Sequence, residues 1–176
     1  MDNAELTQEI ASKDISIDGK SFYLSVLIEL DKLMEDVIGT EECRGFVGMV
    51  ADKIGQLFQQ QYRQALPDMV MSPLNIAHVL VDLKRRIGGD FSLLSVTPDK
   101  IVLHNKRCPF GDAVIQHRSL CAMTANVFGK ITSDAMGYAG VELDKTIANG
   151  DGHCHIIVHL KPDNVDHESA YEYFSG

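Results

Sequence analysis

The sequence predicts an α+β fold, with N-terminal helices packed on a twisted antiparallel sheet of about four strands and one helix inserted between the strand pairs. Three observations predict it. Apolar residues recur at helical spacing through the first half of the chain. The spacing changes to strand-like segments bounded by turn residues at Phe91. Helical spacing then returns once, from Leu120 to about Ala135, between two pairs of strand-like segments.

The elements follow in order. Residues 1–20 are polar, and Ile15-Ser16-Ile17 before Asp18-Gly19 suits an N-terminal arm or a short hairpin. Leu24, Leu27, Ile28, Leu30, Leu33, Met34 and Val37 mark a helix that Gly39 stops. Thr40 with Glu41 and Glu42 opens the next helix, and Pro67 ends it. Its stripe is Phe46, Val50, Ile54, Leu57, Phe58 and Tyr62. Gly45, Gly48 and Gly55 inside it are either points of close backbone approach or neutral surface positions. Ser72-Pro73 starts a third helix, carried by Ile76, Val79, Leu80 and Leu83 and closed by Gly88-Gly89. Phe91 to Val96 and Lys100 to His104 read as a hairpin around Pro98-Asp99. Ser119 reads as the cap of the fourth helix. Tyr138 to Ile147 and His153 to Leu160 read as two more strands joined by Asn149-Gly150-Asp151-Gly152. Residues 21–161 thus form a single domain, and 162–176 a flexible acidic tail.

Composition narrows the function. The 176 residues are 45% hydrophobic and 23% charged, the balance of a globular domain with a buried core. No apolar run reaches the roughly 20 residues needed to cross a bilayer. Met1 is followed by acidic residues and not by a signal segment, so the expected compartment is the cytoplasm. Sixteen basic residues against 25 acidic ones leave a net charge of −9. Direct nucleic-acid binding is therefore disfavoured, and Lys84-Arg85-Arg86 is the only short basic run. The chain has no G-x-S-x-G, H-E-x-x-H or phosphate-loop motif.

Chemistry concentrates on the cysteines. Cys43, Cys108, Cys121 and Cys154 are expected to be thiols or metal ligands in a chain without a secretory signal. Cys121 falls in the first turn of a helix, where the dipole favours a thiolate. Cys154 alternates with Ile156 and Val158 on the core face of its strand, while His153, His155 and His159 take the other face. A loop, a helix start and a strand can thus deliver Cys108, Cys121 and Cys154 to one centre. A tetrahedral ion there would need a fourth ligand, for which His104 and His117 are the candidates, His117 first. Inert buried thiols are the alternative. Zinc, an iron–sulfur cluster and no cofactor all remain open.

Several ordered motifs carry a family resemblance. Cys108-Pro109-Phe110-Gly111, Leu120-Cys121-Ala122-Met123-Thr124, Val127-Phe128-Gly129, Thr146-Ile147-Ala148-Asn149-Gly150-Asp151 and Cys154 resemble the methanogen output domain family. More distantly they resemble vinyl-reductase-type small-molecule-binding domains and the aminothiazoline-carboxylate hydrolase-like family. The resemblance implies helices packed on an antiparallel sheet, often as a homodimer, in sensory or output modules of signalling and transcription proteins. Some vinyl-reductase-type sensors bind zinc through cysteines and a carboxylate beside an aromatic-ligand pocket. Cys121 and Cys154 fall where two of those ligands are expected, and Leu143 and Thr146 stand near the other two.

Three functions follow as expectations. The first is a stand-alone sensory or regulatory domain in signal transduction, binding a small ligand or a metal at the three-cysteine centre and acting through a protein partner. The second is a thiol- or metal-dependent hydrolase of the aminothiazoline-carboxylate type, which requires a base beside Cys121 or the metal. The third is a structural dimerisation module. The first, non-enzymatic reading is preferred.

Overall fold

A computed structural model describes residues 2–117, 119–167 and 169–175. Helix α1 spans Asn3–Ala11, α2 Gly19–Ile38, α3 Thr40–Ala65 and α4 Pro73–Arg86. Strands β1 (Phe91–Val96) and β2 (Lys100–Asn105) precede α5 (Ser119–Met136). Strands β3 (Tyr138–Lys145), β4 (Cys154–His159) and β5 (Ala170–Phe174) complete the chain. The five strands form one antiparallel sheet in the order β1-β2-β4-β3-β5. The α+β class is as the sequence predicts. No helix among the described residues is long and apolar enough to cross a membrane.

Two segments differ from expectation. Residues 3–11 form a helix and not an arm, because Asp2 and Glu5 close a reciprocal capping box on its first turn. The C-terminal stretch holds a fifth strand and not only a tail. Strand β5 adds to the edge of β3, with Tyr173 opposite Ala139, and packs beneath α5. Gly129 makes that contact possible, since a Cβ there would collide with the Tyr173 ring.

The core lies between one face of the sheet and a layer formed by α4 and α5, with α3 stacked on α5. Ile76, Leu80, Phe91, Phe128, Leu103, Ile156 and Val158 are fully enclosed there. Gly55 is a close-approach position, because a Cβ would meet Val127 Cα and the Lys130 stem at the α3–α5 crossing. The stripe that packs is Cys43, Ala51, Ile54, Phe58 and Tyr62, while Phe46, Val50 and Leu57 face outward. Helix α2 is stranger still: its one buried residue is Asp31.

On the outer sheet face, His155 Nδ1 lies 2.9 Å from Asp144 and His159 Nε2 lies 3.2 Å from Glu142. These are cross-strand pairs between β4 and β3, so the histidines beside Cys154 point away from it, as strand alternation dictates.

Candidate functional site

A small cavity lies between the sheet and the helix layer, at the end of β2 and the start of β4. Strand β4 delivers Cys154 and Ile156, the start of α5 delivers Leu120, Cys121 and Thr124, and the β2–α5 loop delivers Cys108, Pro109 and Phe110. Phe91, Asn105, Val114, Leu143 and Thr146 complete the wall. Three cysteines separated by 12 and 32 residues in sequence therefore line one pocket. All four cysteines of the chain carry thiols. The cavity has room for about one water, about 20 Å³.

Two polar residues brace it. Asn105 is buried at the end of β2, opposite Cys154 in the β2–β4 register. Its Nδ2 donates to Cys154 Sγ at 3.7 Å, and its Oδ1 accepts from the Asp90 and Arg107 amides at 3.0 and 3.2 Å. One side chain thus orients a thiol and holds the loop that carries Cys108. Thr146 accepts from the Asn149 amide at 3.1 Å, and its own amide donates to Asp151 at 2.8 Å. The glycine-rich turn is therefore a folded wall of the pocket, with Gly150 at φ 88°. Burial pushes the Cys108 thiol up from its ordinary value, with Lys84 opposing.

Lys84 is the residue that sequence reasoning missed. It was legible only as part of a basic run, yet it lies four residues after Leu80 and eight after Ile76, on the buried stripe of α4. It is 3% exposed. Its Nζ donates to Thr124 Oγ1 at 2.9 Å and lies 5.2 and 5.9 Å from the ring centres of Phe128 and Phe91. Burial lowers its pKa to about 8, against the charges of Cys108, Cys121 and Cys154, which act to raise it.

His117 does not line the pocket. It is taken up elsewhere, with Nδ1 donating to Asp31 Oδ2 at 3.1 Å. Ser119 likewise does not serve as a simple cap. Its hydroxyl donates to the Asp31 carboxylate, 2.7 and 2.8 Å from the two oxygens. Cys43 Sγ lies 3.6 Å from the same group, and burial together with Asp31 pushes that thiol up. Cys43 thus belongs to a second buried node that ties α2 and α3 to the start of α5. Among the described residues, the one group of three ligand side chains with all donor atoms within 4.8 Å of one another is Asp31, Glu35 and Cys43. The pocket thiols are spread more widely. Zinc and iron–sulfur clusters take thiolate donors. The pocket offers three, with no imidazole or carboxylate in its lining to complete a closed set. His104 stacks on His153, 5.1 Å between ring centres, outside that lining.

No curated protein matches the chain. One solved structure, the phenol-responsive sensory domain of the transcription activator PoxR with phenol, superposes with a TM-score of 0.66 at 18% identity, over 77% of this chain and 73% of that one. At that identity the likeness is one of fold. A family model described as methanogen output domain 1 matches residues 26–159, which spans α2 to β4 and every wall of the pocket. The chain belongs to the methanogen output domain 1 family.

Proposed function

We propose that this domain is a sensory module that takes a small, largely apolar ligand into the three-thiol pocket and transmits occupancy through the start of α5. The observation that carries the reading is the convergence of Cys108, Cys121 and Cys154 on one small cavity between sheet and helix layer. The fold shared with a phenol-responsive sensory domain supports it. So does the lining, which is mostly hydrocarbon and aromatic and carries a few polar groups, the usual make-up of a ligand site.

The test is a thermal-shift panel of single-ring aromatic compounds, with metal analysis of protein purified anaerobically without a histidine tag. The expected result is a saturable rise in Tm for the wild type that Leu143→Trp abolishes by filling the cavity. Stoichiometric metal lost on Cys121→Ser would assign the thiols to an ion instead. No shift with any compound would overturn the proposal.

The same module pairs with a second copy. Phe22, Val26, Leu30, Leu33 and Val37 form one exposed stripe along α2, and Phe46, Met49, Val50 and Leu57 are exposed on α3. An apolar stripe of that length on adjoining helices marks an interface, and a two-fold contact uses the same stripe twice. Sedimentation velocity should show a dimer that Leu30→Glu with Leu33→Glu converts to monomer. A wild-type monomer at micromolar concentration would exclude the pairing.

A further inference from the structure

We infer that the ligand of this pocket is a small apolar acid, an aromatic or branched aliphatic carboxylate, whose anionic group is neutralised by the buried ammonium of Lys84. The inference rests on the pocket being a small-ligand site.

Of the three consecutive basic residues that end α4, two have outside employment. Arg85 Nε donates to the Phe91 carbonyl at 2.8 Å, and Arg86 pairs with Asp82 at 2.6 Å. Lys84 alone turns inward. An ammonium has three donors, and among the described residues Lys84 uses one, on Thr124 Oγ1. No carboxylate among the described residues lies within ion-pairing distance of its Nζ. The Phe91 and Phe128 rings soften the desolvation but supply no counter-charge.

A fold that only needed to fill this place would use methionine or leucine, since an unpaired buried charge is among the most costly features a core can hold. The protein's own candidates for the missing anion are the three thiols. Burial pushes the Cys108 thiol above its ordinary value. A carboxylate entering the cavity supplies the charge at neutral pH. Its place is set by Thr124 and Phe91, which touch both Lys84 and the cavity. The rest of the lining then selects a hydrocarbon body.

Accommodating such a ligand requires movement of one wall. The cavity holds about one water, but Cys108, Pro109 and Phe110 also line a cleft of about 410 Å³ on the outer side of the same loop. Displacing that loop joins the two spaces.

The test is calorimetric binding of benzoate and 3-methylbutanoate against their neutral amides, at pH 7 and fixed ionic strength, with chloride and phosphate as separate arms. For the wild type, at least one acid should bind about tenfold or more tightly than its amide. Lys84→Met, with its fold checked by its melting transition, should erase that preference, and Thr124→Val should weaken it. If the amides bind as well as the acids, or Lys84→Met keeps the preference, the acid class is wrong while the ligand pocket stands. Binding of chloride or phosphate alone would replace the organic acid with an inorganic anion and overturn the inference. If neither acids nor amides bind, the inference and the pocket reading fall together.

Discussion

Asp31→Ala should destabilise the domain by about 3 kcal/mol, the largest loss expected from any single side chain outside the apolar core. The carboxylate is 3% exposed and serves three chain segments at once. Ser119 and His117, 88 and 86 residues away, donate to it from the approach to α5, and the Cys43 thiol lies against it from α3. Removing the carboxylate leaves a hydroxyl, an imidazole and a thiol in the interior without their shared acceptor, and each orphaned group carries a desolvation cost of roughly 1–3 kcal/mol if water cannot reach it. Asp31→Asn keeps the shape and one acceptor oxygen, so its loss should be closer to 1 kcal/mol. Urea unfolding of the two variants measures the difference, and proteolysis within α2 should accelerate in the alanine variant. Because Asp31 is the one buried residue of α2, the helix has little else to hold it. An alanine variant within a few tenths of a kcal/mol of the wild type would show that the node does not anchor α2. The node also gives the pocket a mechanical neighbour, since Ser119 stands two residues before Cys121 on the same helical turn.

The elements legible in the sequence are those whose pattern is local. Helices α3 to α5 and strands β1 to β4 follow from period and punctuation, because each buries one face against the same core, while the apolar period of α2 marks a stripe that is exposed. Helix α1 is read from the sequence as an arm or hairpin, although its Asp2…Glu5 capping pair is a local signal. Strand β5 was not legible, because a five-residue strand with tyrosines at alternate positions acquires its meaning from the open edge of β3 and the notch at Gly129. The same division holds at the site. Strand alternation placed Cys154 on the core face, and the family resemblance singled out Cys108 and Cys121 with it. The place of His117 depends on a partner 86 residues away, and no spacing rule reveals that Asp31 faces inward on a helix whose Leu30 and Leu33 face out. Lys84 illustrates the converse error. A charged residue in a basic run reads as solvated face until its position on the Ile76–Leu80 stripe is counted.

Lys84→Met should stabilise the protein at neutral pH by about 2 kcal/mol, a rise in Tm of roughly 4–8 °C for a domain of this size. The free-energy scale comes from the pKa, lowered from 10.5 to about 8 by burial, which corresponds to about 3 kcal/mol, less the hydrogen bond to Thr124. The sign can be checked by titration. Below pH 8 both the folded and unfolded chains hold the proton, so the wild type bears the full cost of the buried charge. Between pH 8 and 10.5 the folded state releases the proton while the unfolded state keeps it. The unfolded chain then binds more protons, and stability rises with pH. Above 10.5 both are neutral and the cost has gone. The stability gap between Lys84→Met and wild type should therefore be widest near pH 7 and narrow as pH approaches 10.5. Thiol titrations occur in both proteins, so they enter the gap only through their coupling to Lys84. Guanidinium unfolding of the pair at several pH values measures it, and a constant gap, or a less stable methionine variant at pH 7, would mean that the ammonium is already compensated within the fold. A residue that a simple substitution improves in stability is retained for something other than stability, and here the side chain in question stands behind the wall of the one cavity that three thiols share.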